Sequence, residues 1–386
     1  MLNMDLEVLQ ENLNKALSIT SRFVSARSQL PVLANILLAA GKTKLILSAT
    51  NLETSASASL GAKIVKEGEL TIPAKNFFEI VSNLSQGTIH LSSEKESLKI
   101  TGSGFTGRIL GMNSSDFPKV PQVIKKEESI DLSKTEFLKA LPQVSFAVSA
   151  DEARPILTGI LFILSKKSMS LVATDGFRLS KKTIPIEGLS KEIKTVIPKN
   201  ILLEVSREGG ESESVLLDIK GKEKQVVFGL GNLILSSRVL EGAFPDFEKI
   251  IPKSSGVKVR TDKEELLRAV KLASVFARDS ANIVKIKIMK DSIKLSAESS
   301  QVGSQETIID AKIITEGPEP LGPDLVVEGL VEGEISFNYK FLEDFLRAVE
   351  GEEVVMEFNN ASSPGVFTDP KDPDFLHLIM PVKIQS

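Results

Sequence analysis

Leu171-Val172-Ala173-Thr174-Asp175-Gly176 decides the fold, because the chain carries related copies of it. An earlier copy reads Leu47-Ser48-Ala49-Thr50-Asn51-Leu52, and a fainter later one reads Leu295-Ser296-Ala297-Glu298. Their alanines stand at 49, 173 and 297, each 124 residues from the next. Pro31 and Pro155 keep that offset, as do Lys75-Asn76 and Lys199-Asn200. Solenoid units recur every ~20–50 residues, whereas this period is the size of a domain. The 386 residues therefore read as three copies of one domain, over 1–127, 128–255 and 256–386. The polar stretches Lys125-Lys126-Glu127-Glu128 and Lys253-Ser254-Ser255-Gly256 suit the boundaries.

Each copy opens with a helical pattern. The stripes are Leu6, Leu9, Leu13 and Leu17; then Phe137, Leu141, Val144 and Val148; then Leu266, Val270, Ala273 and Ala277. Ser133 to Glu136 and Thr261 to Glu264 have capping-box spacing, and Pro142 interrupts the second stripe. Short strand-like runs follow, such as Ile36-Leu37-Leu38 and Ile160-Leu161-Phe162-Ile163. A second helix is predicted after Pro73, after Pro198 and from Tyr339. Two helices and roughly eight short strands per copy make an α+β unit, with its helices on one side of the sheets. Glu316-Gly317-Pro318-Glu319-Pro320-Leu321-Gly322-Pro323 reads as a surface loop inserted in the third copy.

Composition narrows the function. With no cysteine, disulfides and thiolate metal sites are excluded. His90 and His377 lie in different copies and read as strand residues, which leaves little for a metal site or a Ser-His-Asp triad. No metal or cofactor is expected. A Walker-type loop is missing, and Gly102-Ser103-Gly104 lacks the rest of a dinucleotide fingerprint. Asp175 and Asp246 are isolated acids rather than a catalytic pair. The expectation is a protein that is not an enzyme. A β-rich structural or adhesive repeat protein is the other class to consider, and the paired helices weigh against it. No apolar run reaches membrane-spanning length, and the N-terminus does not resemble a signal peptide, so a cytoplasmic location is expected. The net charge of −4 argues against indiscriminate nucleic-acid binding but not against one basic face.

Several segments together resemble the bacterial sliding clamp family, the beta subunit of DNA polymerase III. They are Ala173-Thr174-Asp175-Gly176-Phe177-Arg178-Leu179, Glu241-Gly242-Ala243-Phe244-Pro245-Asp246-Phe247, Leu30-Pro31-Val32-Leu33, Arg154-Pro155-Ile156-Leu157-Thr158-Gly159 and Ile379-Met380-Pro381-Val382. The likeness spans essentially the whole chain. It implies the DNA clamp fold and a head-to-tail homodimer whose six domains form a ring. It further implies that double-stranded DNA passes through the ring without sequence preference. The implied role is a processivity factor tethering the replicative DNA polymerase, and the implied partners include the clamp loader and other replication and repair proteins.

The resemblance also assigns sites. Arg27, Lys75 and Lys199 are the implied DNA contacts among many basic residues on the helices, although acidic residues share those faces. Partners' short linear motifs are expected in a groove between the second and third domains. Its implied lining begins with Leu157, Thr174, Gly176, Phe177, Arg178 and Leu179. It continues through Pro245, Lys249, Ile250 and Ser363, and ends with Leu378, Ile379, Met380, Pro381, Val382 and Lys383. Apolar walls would hold anchors, and Arg178 would fix orientation. From the residues alone, these segments read instead as a strand-ending turn and as core. Phe177 stands where the family usually has histidine, and the tail runs past Ile384 by Gln385 and Ser386. The implied dimer contact joins Phe105, on a strand over Ser103 to Arg108, with Val275 and Phe276 on a helix end; each also suits ordinary core.

Overall fold

The computed structural model describes residues 3–25, 29–187, 192–208, 213–252, 256–315 and 334–383. The first repeat runs β1 (Asp5–Leu9), α1 (Gln10–Thr20), β2 (Asn35–Ala40), β3 (Lys44–Thr50), β4 (Thr54–Gly61) and β5 (Lys63–Lys66). It ends with β6 (Gly68–Pro73), α2 (Ala74–Asn83), β7 (Thr88–Glu94), β8 (Ser97–Gly102) and β9 (Phe105–Leu110). The second has β10 (Ile130–Ser133), α3 (Lys134–Ser145), β11 (Gly159–Leu164), β12 (Ser168–Thr174) and β13 (Arg178–Pro185). After these come β14 (Ile193–Pro198), α4 (Lys199–Arg207), β15 (Ser214–Lys220), β16 (Gln225–Leu230) and β17 (Leu233–Arg238). The third has β18 (Val257–Asp262), α5 (Lys263–Ala277), β19 (Ile283–Ile288), β20 (Ser292–Ser299), β21 (Gly303–Asp310) and β22 (Lys312–Thr315). It closes with β23 (Glu334–Asn338), α6 (Tyr339–Ala348), β24 (Glu353–Phe358), β25 (Gly365–Asp369) and β26 (Asp372–Ile379).

Local sequence explains most of these elements, and it explains two departures. The spacing of Leu6 and Leu9 predicts helix, yet residues 5–9 form β1 and the helix begins at Gln10. Leu6 and Val8 are buried while their neighbours are not, a period of two, and the strand hydrogen-bonds to β5 on one side and β7 on the other. In the third repeat Asp262, not Thr261, caps the helix. Its carboxylate accepts from the Glu265 amide at 2.8 Å, while the Thr261 hydroxyl donates to the Asp310 carbonyl at 2.7 Å. Ser133 does cap α3, accepting from the Glu136 amide at 3.5 Å, and that helix runs through Pro142 to Ser145. Val148 lies beyond its end. Pro73 and Pro198 each end a strand immediately before the second helix. Asn338 takes that position in the third repeat, accepting from the Lys340 amide at 3.0 Å. The inserted loop at 316–323 and the second boundary at 253–255 lie outside the described residues.

The chain divides into two compact units, and each takes part of the middle repeat. One comprises Met1–Phe137 with Asn200–Val239, the other Leu138–Lys199 with Leu240–Ser386. The first unit holds a five-stranded sheet, β5-β1-β7-β8-β9, and an eight-stranded sheet, β10-β15-β16-β17-β4-β3-β2-β6. The second holds a nine-stranded sheet, β14-β11-β12-β13-β26-β25-β24-β18-β22, and a four-stranded sheet, β21-β20-β19-β23. In the long sheets, strands from successive repeats meet: β4 pairs β17, and β13 pairs β26. Seams of this kind are why compactness does not follow the repeat boundaries.

The third repeat shows how each core is built. Helices α5 and α6 pack together, and α5 lies against β19, β20 and β21. Phe345 on α6 is 1% exposed, with its ring 5.7 Å from those of Phe367 and Phe375. Phe345→Ala is expected to cost about 3–5 kcal/mol, because the surrounding rings cannot collapse into the space. Urea denaturation monitored by far-UV circular dichroism should show the loss as a lower midpoint.

Candidate functional site

The site is organised by the turn between β12 and β13. The Thr174 hydroxyl donates to the Arg178 carbonyl at 2.6 Å and accepts from the Gly176 amide at 3.1 Å. One Asp175 carboxylate oxygen accepts from the amides of Phe177 at 2.9 Å and Arg178 at 3.0 Å. Asp175 thereby mimics a backbone turn. Gly176 sits at φ +96°, where a side chain would be strained and its Cβ would press to 3.3 Å on Arg154. The result is an exposed Phe177, 62% accessible, held on a rigid loop.

Arg178 follows the turn, and its side chain is only 11% exposed. Its guanidinium donates to Asp175 at 3.0 Å, to Asp344 at 2.6 Å and to the Phe146 carbonyl at 2.6 Å. It also lies 4.4 Å from the Phe341 ring centre and 5.5 Å from that of Phe146. Every nitrogen of the fork is engaged internally. The resemblance implies that Arg178 orients a peptide; the geometry makes it a tie between the turn and helix α6. Nearby, Lys182 pairs with Asp372, which also accepts from the Gln143 side chain at 2.9 Å.

Strand alternation sorts the remaining residues expected to line the groove. Leu157, Leu179 and Leu378 are buried; Leu179 and Leu378 belong to an apolar layer with Leu161, Val172, Val196, Phe247 and Val366. Ile379 points to the other face of β26, into the core of the third repeat, so it does not share that layer. Phe177, Ile250 and Met380 expose 62%, 45% and 38% of their surface. Pro245 and Lys249 are exposed; Asp246, 2.8 Å from the Lys249 ammonium, raises the lysine's pKa by hydrogen bonding. The Met380 amide donates to the Phe177 carbonyl at 2.8 Å, extending the β13–β26 ladder by one rung. Half-buried Pro381 and Val382 then lead away, the Val382 amide bonding the Ser336 carbonyl of β23 at 2.8 Å. Lys383 is exposed, and Ser363 is half-buried in a turn closed by Asn360. The last residues, 384–386, lie outside the described residues.

Comparison with known proteins decides the family. Models of the DNA polymerase III beta subunit match in order: the N-terminal domain over residues 4–121, the central domain over 131–246 and the C-terminal domain over 248–383. A beta sliding clamp of Synechocystis is 30% identical over 397 aligned positions, covering 97% of this chain and 98% of its own. One from Staphylococcus aureus is 28% identical, covering 94% of this chain and 95% of its own. The crystal structure of the Bacillus subtilis DNA polymerase sliding clamp superposes with a TM-score of 0.89 at 26% identity, covering 99% of this chain and all of that one. The chain belongs to the beta sliding clamp family. Its fold is the DNA clamp fold, and its role is that of a sliding clamp, a processivity factor in DNA replication.

The other residues implied by the sliding clamp resemblance fall in varied surroundings. Arg27 lies outside the described residues. Lys75 is exposed on α2. Lys199 begins α4 and is half-buried; burial first, then the Arg178 charge, lowers its pKa, while Asp344 opposes them. Other helix cations are engaged within the chain. Arg22 bonds Glu204 at 2.9 Å and Glu208 at 2.5 Å, and Lys139 bonds Glu350 at 3.1 Å. Phe105 is half-buried on β9, and Val275 is 50% exposed on α5. Phe276 packs partly against the third repeat's core, one helical step away from the outward face. Leu272, also 50% exposed, shares that outward face with Val275. Its three-residue spacing from Val275 on an otherwise polar face was the available sequence signal.

No sequence signal pointed to the role of His377. It is fully buried on β26, opposite Ser180 of β13, whose hydroxyl lies 2.6 Å from Nδ1. Its ring stacks on Phe345 at 5.5 Å, and Nε2 finds no hydrogen-bond partner among the described residues. Burial, reinforced by the Arg178 charge, holds its pKa down at about 3 against an ordinary 6.5. The unfolded chain therefore binds a proton that the folded chain refuses, so stability falls as pH drops below about 6.5 and keeps falling towards pH 3. Melting temperatures across that window should decline less steeply for His377→Gln than for the wild type. Parallel curves would show that His377 is not the group responsible.

Proposed function

We propose that the chain works as a head-to-tail homodimer, closed as a six-domain ring around duplex DNA. The observation that carries this reading is the strand order. Inside the chain, the last strand of one repeat pairs with the fourth-type strand of the repeat before it: β17 with β4, and β26 with β13. β9 is the last strand of the first repeat, and β21 is the matching strand of the third. Each forms the edge of its sheet. A bare edge is a template for pairing. The β9 edge of one copy and the β21 edge of another would unite sheets of five and four strands into one of nine, as long as the sheet already present. Two such seams close a dimer.

Apolar side chains suit these edges. Ile80, Leu84 and Phe105, with Asn76, Glu79 and Asn83, line a groove beside β9. Leu272 and Val275 on α5 and Ile308 on β21 expose 50%, 50% and 62% of their surface. Burying each would gain about 1.5–3 kcal/mol at most. Phe105→Asp is therefore expected to shift the protein to monomer in analytical ultracentrifugation, with its melting transition retained. A dimer unaffected by that change would count against the edge seam.

In this reading, DNA is held topologically, and Arg27, Lys75 and Lys199 are proposed as phosphate contacts without sequence preference. The groove around Phe177, Ile250 and Met380, floored by Leu157, Leu179 and Leu378, takes the linear motifs of the replicative polymerase, the clamp loader and other replication and repair proteins. Tethering raises the polymerase's local concentration at the primer end. The protein itself catalyses nothing and acts in the cytoplasm. Among the described residues, no helix is long and apolar enough to cross a membrane. After loading by a clamp loader, the protein should stay on nicked circular DNA and run off the same DNA once linearised. Equal retention on both would reject topological holding.

A further inference from the structure

The peptide-side turn has a double in the first unit. The Thr50 hydroxyl donates to the Thr54 carbonyl at 2.9 Å and accepts from the Leu52 amide at 3.0 Å, as Thr174 does with Arg178 and Gly176. Asn51 accepts from the amides of Glu53 at 3.0 Å and Thr54 at 2.7 Å, as Asp175 does from Phe177 and Arg178. The Arg238 amide donates to the Glu53 carbonyl at 2.8 Å, the rung that Met380 makes to Phe177 at the same length. Behind the turns, Ser25 bonds Leu33 at 2.8 Å and Ser149 bonds Leu157 at 2.9 Å. Even the apolar floor recurs, as a small cluster of Val32, Leu33, Leu37 and Phe117.

The doubles differ in the side chains they present outward. Where the second turn has Gly176, the first has Leu52, forced to φ +76° and 48% exposed. Exposed Glu53 stands in the place of Phe177, and exposed Arg238 in the place of Met380. One turn thus presents the apolar Phe177 and Met380, with the Arg154 guanidinium donating to the Asp175 carbonyl at 3.3 Å behind Gly176. The other offers a carboxylate, a guanidinium and an obstructing leucine. An apolar anchor docking there would strip water from two charges without repayment.

We infer that Gly176, Phe177 and Met380 are the specificity-determining residues that confine linear-motif binding to one of two equivalent scaffolds in each protomer. This rests on the groove reading proposed above. Leu52, Glu53 and Arg238 exclude the same motif from the other scaffold.

The experiment transplants the site within the full-length dimer. The probe is a fluorescent peptide carrying the linear clamp-binding motif of the replicative polymerase, and the readouts are calorimetric stoichiometry and affinity. Phe177→Glu with Met380→Arg is expected to weaken binding by at least about tenfold, since an anchor would now meet unpaired charge. Leu52→Gly, Glu53→Phe and Arg238→Met together are expected to raise stoichiometry from one peptide per protomer to two. All five changes combined should return it to one, now at the first turn. Dimer mass and melting temperature identify variants that fold. A folded triple variant that still binds one peptide overturns the inference, as does full affinity in the Phe177→Glu, Met380→Arg variant. If Met380→Ala and the wild type both fail to bind the probe, the groove reading itself falls, a result distinct from an unchanged stoichiometry.

Discussion

The structure depends on a strand pairing that ignores the repeat boundary. β13 meets β26 over five residue pairs, from Arg178 opposite Ile379 to Lys182 opposite Phe375. β4 meets β17 in the same way, from Ala58 opposite Leu233 to Thr54 opposite Ser237. Each ladder bond contributes about 1 kcal/mol net, so one seam approaches the whole stability margin of a small domain. Polar contacts fix the register within the seams: Ser55 to Ser236 at 2.7 Å in one, Ser180 to His377 at 2.6 Å in the other. A one-residue slip would turn every buried side chain to the wrong face. The middle repeat is thus shared between two compact units, each with its own seam.

That seam also positions the proposed groove. The turn at Asp175 and Gly176 leads straight into β13, and Met380 follows straight after β26. Phe177 and Met380 therefore extend from fixed backbone rather than from mobile loops, which would limit the entropy lost if the proposed groove takes a partner. Arg178 adds a second constraint. Its contacts with Asp175, Asp344, Phe146 and Phe341 join the turn to helix α6 and to the end of α3. The cost of burying this charge is met by two carboxylates and a carbonyl, an arrangement that specifies one geometry more than it adds stability.

Charge follows the same economy on the helices. Several helix cations are engaged by acids inside the chain, Arg22 with Glu204 and Glu208 and Lys139 with Glu350 among them. A protein that must slide gains from modest phosphate attraction, since each neutralised phosphate adds affinity and salt sensitivity. The near-balanced composition, 47 basic against 51 acidic residues, agrees with a surface that does not grip.

The threefold plan was legible in the sequence because a repeated backbone needs repeated turn residues. Thr50-Asn51 and Thr174-Asp175 recur since the same turn requires the same hydroxyl and carboxamide or carboxylate acceptors. Pro73 and Pro198 recur since a strand must stop where a helix starts. Periodicity likewise exposed the helices, apart from Leu6, whose spacing fits helix and strand alike until β5 and β7 supply partners. Exposure could not be read this way. Leu179 and Phe177 look equally apolar in sequence, yet one is 1% accessible and the other 62%. Arg178 reads as a free cation until Asp344, 166 residues away, accepts from its guanidinium. The sequence by itself determined the repeat, most of the elements and the family. Only the tertiary structure decided which strands join, which edges stay open and which side chains remain free to meet a partner, because each depends on residues far apart in the chain.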